Sequence, residues 1–284
     1  MSRTLLFAFS LLIVFSCRKA PKNPESCSFT NDDDNYFSII DNSDSPDRAF
    51  NVFCKKVDVF GIMLYATDNV TDENLLHSAN LMAQYIDNDE DGNIDDQLVL
   101  DSMRSHGSCM SIFGTDKSSV QRRFFRHEAS RKAQDLYNSE IHPGGRSGDT
   151  FDAALEEILH LVTATGWSKA YPETFGEKKG SRLCNAMDIA RGGQHESIPN
   201  NYPSDAWYHY NDKTCEYQCM ATEYFYWALT THLGAQIERC GEINQEWEIC
   251  TSIGLQSKDK AMFELITDST YNLPKVPPDG SYMR

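Results

Sequence analysis

Hydrophobic residues along the chain follow two rhythms, and the changes between them mark the expected elements. Residues 52–67 form a β-leaning, largely apolar run with Val57, Val59, Phe60, Ile62, Leu64 and Tyr65, which predicts one or two strands. Thr71 then reads as a helix N-cap with Asp72 and Glu73 in the first turn, and Leu75, Ala79, Met82, Ala83 and Ile86 repeat at helical spacing. A strand at 108–113, a polar helical stretch at 118–137 and a break at Pro143, Gly144 and Gly145 follow. Phe151, Ala154, Leu155, Ile158, Leu159 and Val162 make one stripe of a helix over 151–165, with Asp149 or Thr150 as its cap and Gly166 as its end. After a loop-rich, aromatic region at 166–214, a second long helix over 216–233 is apolar nearly all round, which means burial, and closes at Gly234. No internal repeat and no second composition shift appear, so the pattern predicts one α+β domain.

The N-terminus changes the picture of where that domain works. The apolar run 5–15, preceded by Arg3 and ended by Ser16 and Cys17, has the order of a secretory signal and is too short to span a bilayer. Val14, Phe15, Ser16 and Cys17 also resemble the lipobox of bacterial lipoproteins, which implies a chain attached to a membrane through a lipidated Cys17, such as an outer-membrane lipoprotein. Plain secretion is the alternative. Residues 1–17 are thus read as the signal peptide, the Pro-, Ser- and Asp-rich 18–45 as a tether, and 46–284 as the folded domain. Without Cys17, eight cysteines remain, an even set that allows up to four disulfides in an oxidising compartment. The balance of 26 Lys and Arg against 42 Asp and Glu gives a net charge of −16 with no basic block, which argues against nucleic acid as a partner.

Part of that negative charge is concentrated in one loop. Asp87, Asp89, Asp91, Asn93 and Asp95 fall at positions 1, 3, 5, 7 and 9 of an EF-hand-like loop, with Gly92 at position 6. Carboxylates this dense repel one another unless a divalent cation joins them, and hard oxygen ligands suit calcium. Leu98 stands at position 12, where an EF-hand supplies a bidentate Glu, so a weak or reshaped site is expected. A solvated acidic turn is the plain alternative.

Helical spacing puts Glu156, Glu157 and His160 together, off the apolar stripe of their helix. The segment resembles the His-Glu-x-x-His active-site helix of zincin metallopeptidases, with Glu156 in place of the first His. In that family the outer residues bind zinc or another divalent transition metal and the inner Glu is the general base. In one branch a Glu on a later helix completes the ligand set. The resemblance implies Glu156 and His160 as metal ligands, Glu157 as base, and a zincin-like fold: a small mixed sheet packed on two long helices, here disulfide-containing. Glu223 is the candidate third ligand, because a carboxylate in a buried aromatic helix is costly without a partner. Tyr208, His209 and Tyr210, between the two helices, are candidate oxyanion donors. The function implied is an exported metal-dependent hydrolase, a calcium-stabilised peptidase acting on an extracellular peptide or protein. The alternative is a non-catalytic secreted calcium-binding structural or binding module in which Glu156, Glu157 and His160 are only the wet face of an amphipathic helix. His77 reads as a core-edge histidine, and no nucleophile-elbow, phosphate-loop or dinucleotide motif is present.

Overall fold

A computed structural model describes residues 27–31 and 34–283. The signal peptide at 1–17 and the start of the tether lie outside the described residues. The frame is a mixed sheet whose five strands lie in chain order: β1 (Ile40–Asp41), β2 (Lys55–Val59), β3 (Ile62–Ala66), β4 (Cys109–Phe113) and β5 (Ala133–Tyr137). The β1–β2 and β2–β3 pairs are antiparallel, whereas β3–β4 and β4–β5 are parallel. Val59 pairs with Ile62, leaving Phe60 and Gly61 as a two-residue turn. Both have positive φ, 51° and 85°, the backbone that matches the twist of paired strands and that glycine adopts without strain. All five residues of β4 are buried, as a central strand covered on both faces requires.

Parallel pairing needs crossovers, and helices supply them. Between β3 and β4 the chain forms α1 (Asp72–Ile86), capped by Thr71, whose Oγ1 accepts from the Asn74 amide, and then α2 (Gln97–His106), capped by Asp96. α3 (Ser119–Phe124) leads to β5. After β5 come α4 (Ala154–Val162), a π-helical turn at Thr163–Trp167, α5 (Ser168–Ala170), α6 (Arg182–Ala190) and α7 (Tyr217–His232). The chain then forms α8 (Cys240–Ile243), α9 (Ser252–Lys258) and α10 (Lys260–Ile266). α4 is the keystone, packing on α1, β4 and β5 on one side and on α7 on the other. No helix among the described residues is long and apolar enough to cross a membrane.

Several boundaries differ from the sequence expectation. The stretch 118–137, expected to be helical, holds only α3 and a 3-10 turn before β5, in which only Leu136 is fully buried, so its alternation is weak. Gly166 does not end its helix: the backbone widens there and continues to Ala170, and the glycine serves close packing instead, since a Cβ on it would meet Val99 Cγ1 of α2 at 2.7 Å. Asp152, rather than Asp149 or Thr150, bonds the first amide of α4, that of Ala154, at 3.3 Å. The packed structure also begins before residue 46, since Phe37 and Ile39 are buried and Cys27 is bonded to Cys54. Cys215–Cys219 and Cys240–Cys250 are the other disulfides among the described residues, three of the up to four that the sequence allows, and Cys109 and Cys184 are buried thiols.

Candidate metal centre

α4 and α7 bring together the three side chains singled out as ligands. Glu156, His160 and Glu223 each offer a ligand atom, and these atoms all lie within 4.8 Å of one another. Glu156 and His160 converge because they sit one turn apart on α4. Glu223 reaches them from α7, with its Oε2 3.5 Å from His160 Nε2. That nitrogen is buried without a hydrogen bond, so it faces the space between two carboxylates with no protein partner aligned to it. A buried imidazole nitrogen without a hydrogen bond and flanked by acids is a place a cation could occupy, and one nitrogen with two carboxylate oxygens is a donor set that zinc-like ions accept.

The electrostatics agree with the geometry. Burial raises the Glu156 carboxyl; His160 pulls it back, and the neighbouring charges of Glu223 and Glu157 push it up again. Burial alone would depress the His160 imidazole, but Glu223 and Glu157 outweigh it and hold its pKa well above the ordinary histidine value. Two like charges no more than 4.8 Å apart repel by at least roughly 1 kcal/mol in water and about 3–4 kcal/mol at the effective dielectric of a protein surface.

Glu157 lies outside that group of three. Its Oε2 lies 3.6 Å from His160 Nδ1 and accepts a 2.6 Å hydrogen bond from Gln134 Nε2 of β5. Glu157 is 28 % exposed against 9 % for His160, so solvent reaches the cluster on this side. The three candidate donors separate. Tyr208 is fully buried and donates to the Met220 carbonyl at 2.7 Å, and His209 Nε2 faces the Ala206 carbonyl at 3.0 Å, so neither serves the cluster. Tyr210 does: its hydroxyl donates to Glu223 Oε1 at 3.1 Å. Sequence reasoning missed Gln134 and Tyr226. The Tyr226 ring meets His160 edge-on with centroids 5.6 Å apart. Standing three residues after Glu223 on α7, Tyr226 shares its face.

The acidic loop forms a second cluster. Asp87, Asp89 and Asp95 bring carboxylate oxygens within 4.8 Å of one another, whereas Asp91 stays outside that group, its Oδ1 accepting from the Asn93 amide at 2.7 Å. Burial raises the Asp95 carboxyl, and the charges of Asp89 and Asp87 add to the shift. Leu98, at the position of the missing Glu, is exposed on α2.

Comparison with protein-family models, curated proteins and solved structures gives no match to this chain.

Proposed function

We propose that the chain is an exported metal-dependent hydrolase of zincin-like design that acts on an extracellular peptide or protein, with calcium on the acidic loop as a stabilising clip. The observation that carries this reading is the convergence of Glu156, His160 and Glu223 from two helices around a buried His160 Nε2 that lacks a hydrogen bond. Zinc or another divalent transition metal held by these three would supply a Lewis acid to a substrate carbonyl. Glu157 accepts the proton of the attacking water at a carboxylate oxygen, with Gln134 fixing its orientation from β5. Tyr210 anchors Glu223 and stands at the rim of the cluster as a hydrogen-bond donor. The three disulfides suit an oxidising compartment, in keeping with export and with anchoring through a lipidated Cys17.

Metal analysis of the purified chain after mild chelation tests the reading. One transition-metal equivalent, lost in His160→Ala, together with hydrolysis of unstructured protein substrates, is the expected result. The competing reading is a non-catalytic calcium-binding module, favoured by the independent convergence of Asp87, Asp89 and Asp95. Calcium as the sole bound metal would select it.

A further inference from the structure

The chain after α10 has no regular secondary structure beyond a short 3-10 turn at Ser269–Tyr271, yet it is tied along its length to the acidic loop and to the helix that enters it. Asn272 Nδ2 donates to the Asp95 carbonyl at 2.7 Å. Asn88, inside the loop, accepts from the Lys275 and Val276 amides at 2.8 and 2.9 Å and donates from Nδ2 to the Val276 carbonyl. Gln84, one turn earlier on α1, accepts from the Asp279 and Gly280 amides and donates to Asp279 and to Glu90 of the loop. The Met283 amide then donates to Glu90 Oε2 at 2.6 Å. Backbone amides of a strap without secondary structure are thus satisfied by side chains of the loop and of the last turn of α1 that leads into it.

The last link is the most informative. Asp87 is fully buried and uses its two oxygens differently. Oδ2 accepts from the Gly92 amide and from the Tyr282 hydroxyl of the strap. Oδ1 is buried with no hydrogen-bond partner, in a group whose other members are the carboxylates of Asp89 and Asp95. Tyr282 is itself fully buried, packed on Phe37 and edge-on to Phe60, so the strap ends in an anchored ring whose polar tip rests on a candidate cation ligand. At Gly280 the strap lies so close to α1 that a Cβ there would fall 2.0 Å from His77 Nδ1.

We infer that a calcium-type divalent cation bound by Asp87, Asp89 and Asp95 fastens the C-terminal strap, residues 272–283, onto α1, so that occupancy of the loop controls whether the strap is closed. This rests on the calcium reading of the acidic loop and not on the hydrolase reading. Without the cation, three carboxylates within 4.8 Å repel, and the loop relieves that repulsion by moving Asp87 and Asp95, the residues whose oxygens hold Tyr282 and Asn272. With the cation, Asp87 Oδ1 gains its missing partner and Oδ2 is held toward Tyr282. The strap and the ion therefore stabilise each other through one carboxylate, and the coupling is reciprocal. With no bidentate Glu at the twelfth position, the site suits the roughly 0.1–1 mM affinities of extracellular calcium modules.

The test uses the full chain with calcium alone as probe and magnesium as control. Calcium binding is measured by equilibrium dialysis, and strap closure by hydrogen exchange at the amides of Lys275, Val276, Asp279, Gly280 and Met283 and by tryptic cleavage after the exposed Lys275. Saturating calcium is expected to slow exchange at these amides and cleavage at Lys275 by at least about tenfold, corresponding to a shift of roughly 1.4 kcal/mol in strap opening. Asp89→Asn, an exposed ligand whose loss leaves the buried bonds of Asp87 intact, should weaken calcium binding and strap protection together. Asn88→Ala, which removes strap contacts but no cation ligand, should expose the strap and, because the coupling is reciprocal, weaken calcium binding by about the same factor. Calcium binding with unchanged strap exchange would overturn the coupling and leave the site standing. No binding at millimolar calcium would overturn both, and the metal content at His160 is read separately in either case.

Discussion

His77 Nε2 stands 2.6 Å from Asp152 Oδ2, with neither side chain more than 7 % exposed. The pair joins the middle of α1 to the residue that bonds the first amide of α4, for Asp152 Oδ1 also accepts from the amides of His142 and Ala154. His77, read from the sequence as a core-edge residue, therefore sets the position from which α4 carries Glu156 and His160 toward α7. Removing one partner leaves a buried polar group unsatisfied, so His77→Ala should destabilise the fold by about 2–4 kcal/mol in urea unfolding. Combining it with Asp152→Asn should be clearly non-additive. Additive losses would mean that the two residues act separately.

Cysteine chemistry makes a separate prediction. Burial pushes the Cys109 thiol up to about 12 and raises that of Cys184 as well. Both should resist thiol reagents in the native protein at pH 8 and react only on unfolding, whereas the six bridged cysteines should stay silent until reduced. Replacing Cys27 and Cys54 together by Ser opens a connection spanning 27 residues. It should cost about 2–4 kcal/mol, read as a shift in urea midpoint.

How far the sequence foretold this arrangement depended on whether a residue's environment was set locally. α1 and α7 were legible from their apolar spacing, from the Thr71 cap and from Gly234, because those signals lie within each helix. Glu223 was legible for a physical reason: a carboxylate in an apolar helix needs a partner, and His160 is 3.5 Å away. β5 was not, since its five residues alternate weakly and its pairing with β4 is a long-range contact. α2 carries only three buried apolar residues, Val99, Leu100 and Met103, next to an acidic loop that masks its start. α6, α9 and α10 are short and were passed over in the same way. The strap was invisible because its ties run from side chains of α1 and the acidic loop to backbone amides nearly two hundred residues away, a pairing no local period encodes.

The pH dependence of stability should carry the mark of Glu140. Burial raises its carboxyl to about 7; the hydrogen bond from the Tyr137 amide opposes this, and the charges of Glu157, Asp135 and Asp116 add to it. A carboxyl whose folded pKa exceeds its unfolded one holds its proton more tightly in the native state. Its contribution is fully present below the unfolded value of 4.5 and is lost as pH rises toward 7. Stability should therefore fall across that window with a dependence of up to about one proton. Glu140→Gln, which can still accept from Tyr137, should flatten the dependence when urea midpoints are compared at several pH values. An unchanged slope would assign it to other groups.

The sharpest discrimination between a metal centre and a solvated helix face comes from Glu156→Gln. Glu156 crowds Glu223 and His160, and burial and the two neighbouring carboxylates make its charge costly in the protein without metal. Neutralising it there should stabilise the metal-free protein by about 1–2 kcal/mol, while zinc affinity falls by at least about a hundredfold. The two effects have opposite signs only if Glu156 is held in an unfavourable setting for the sake of an ion. A carboxylate on an ordinary wet face would change stability by no more than about 0.5 kcal/mol and leave zinc binding as it was. Thermal unfolding with and without zinc, set beside competition against a chromophoric chelator, reads both quantities on the same variant. A stability gain without a change in affinity would remove Glu156 from the ligand set and leave His160 and Glu223 too few to hold the metal alone.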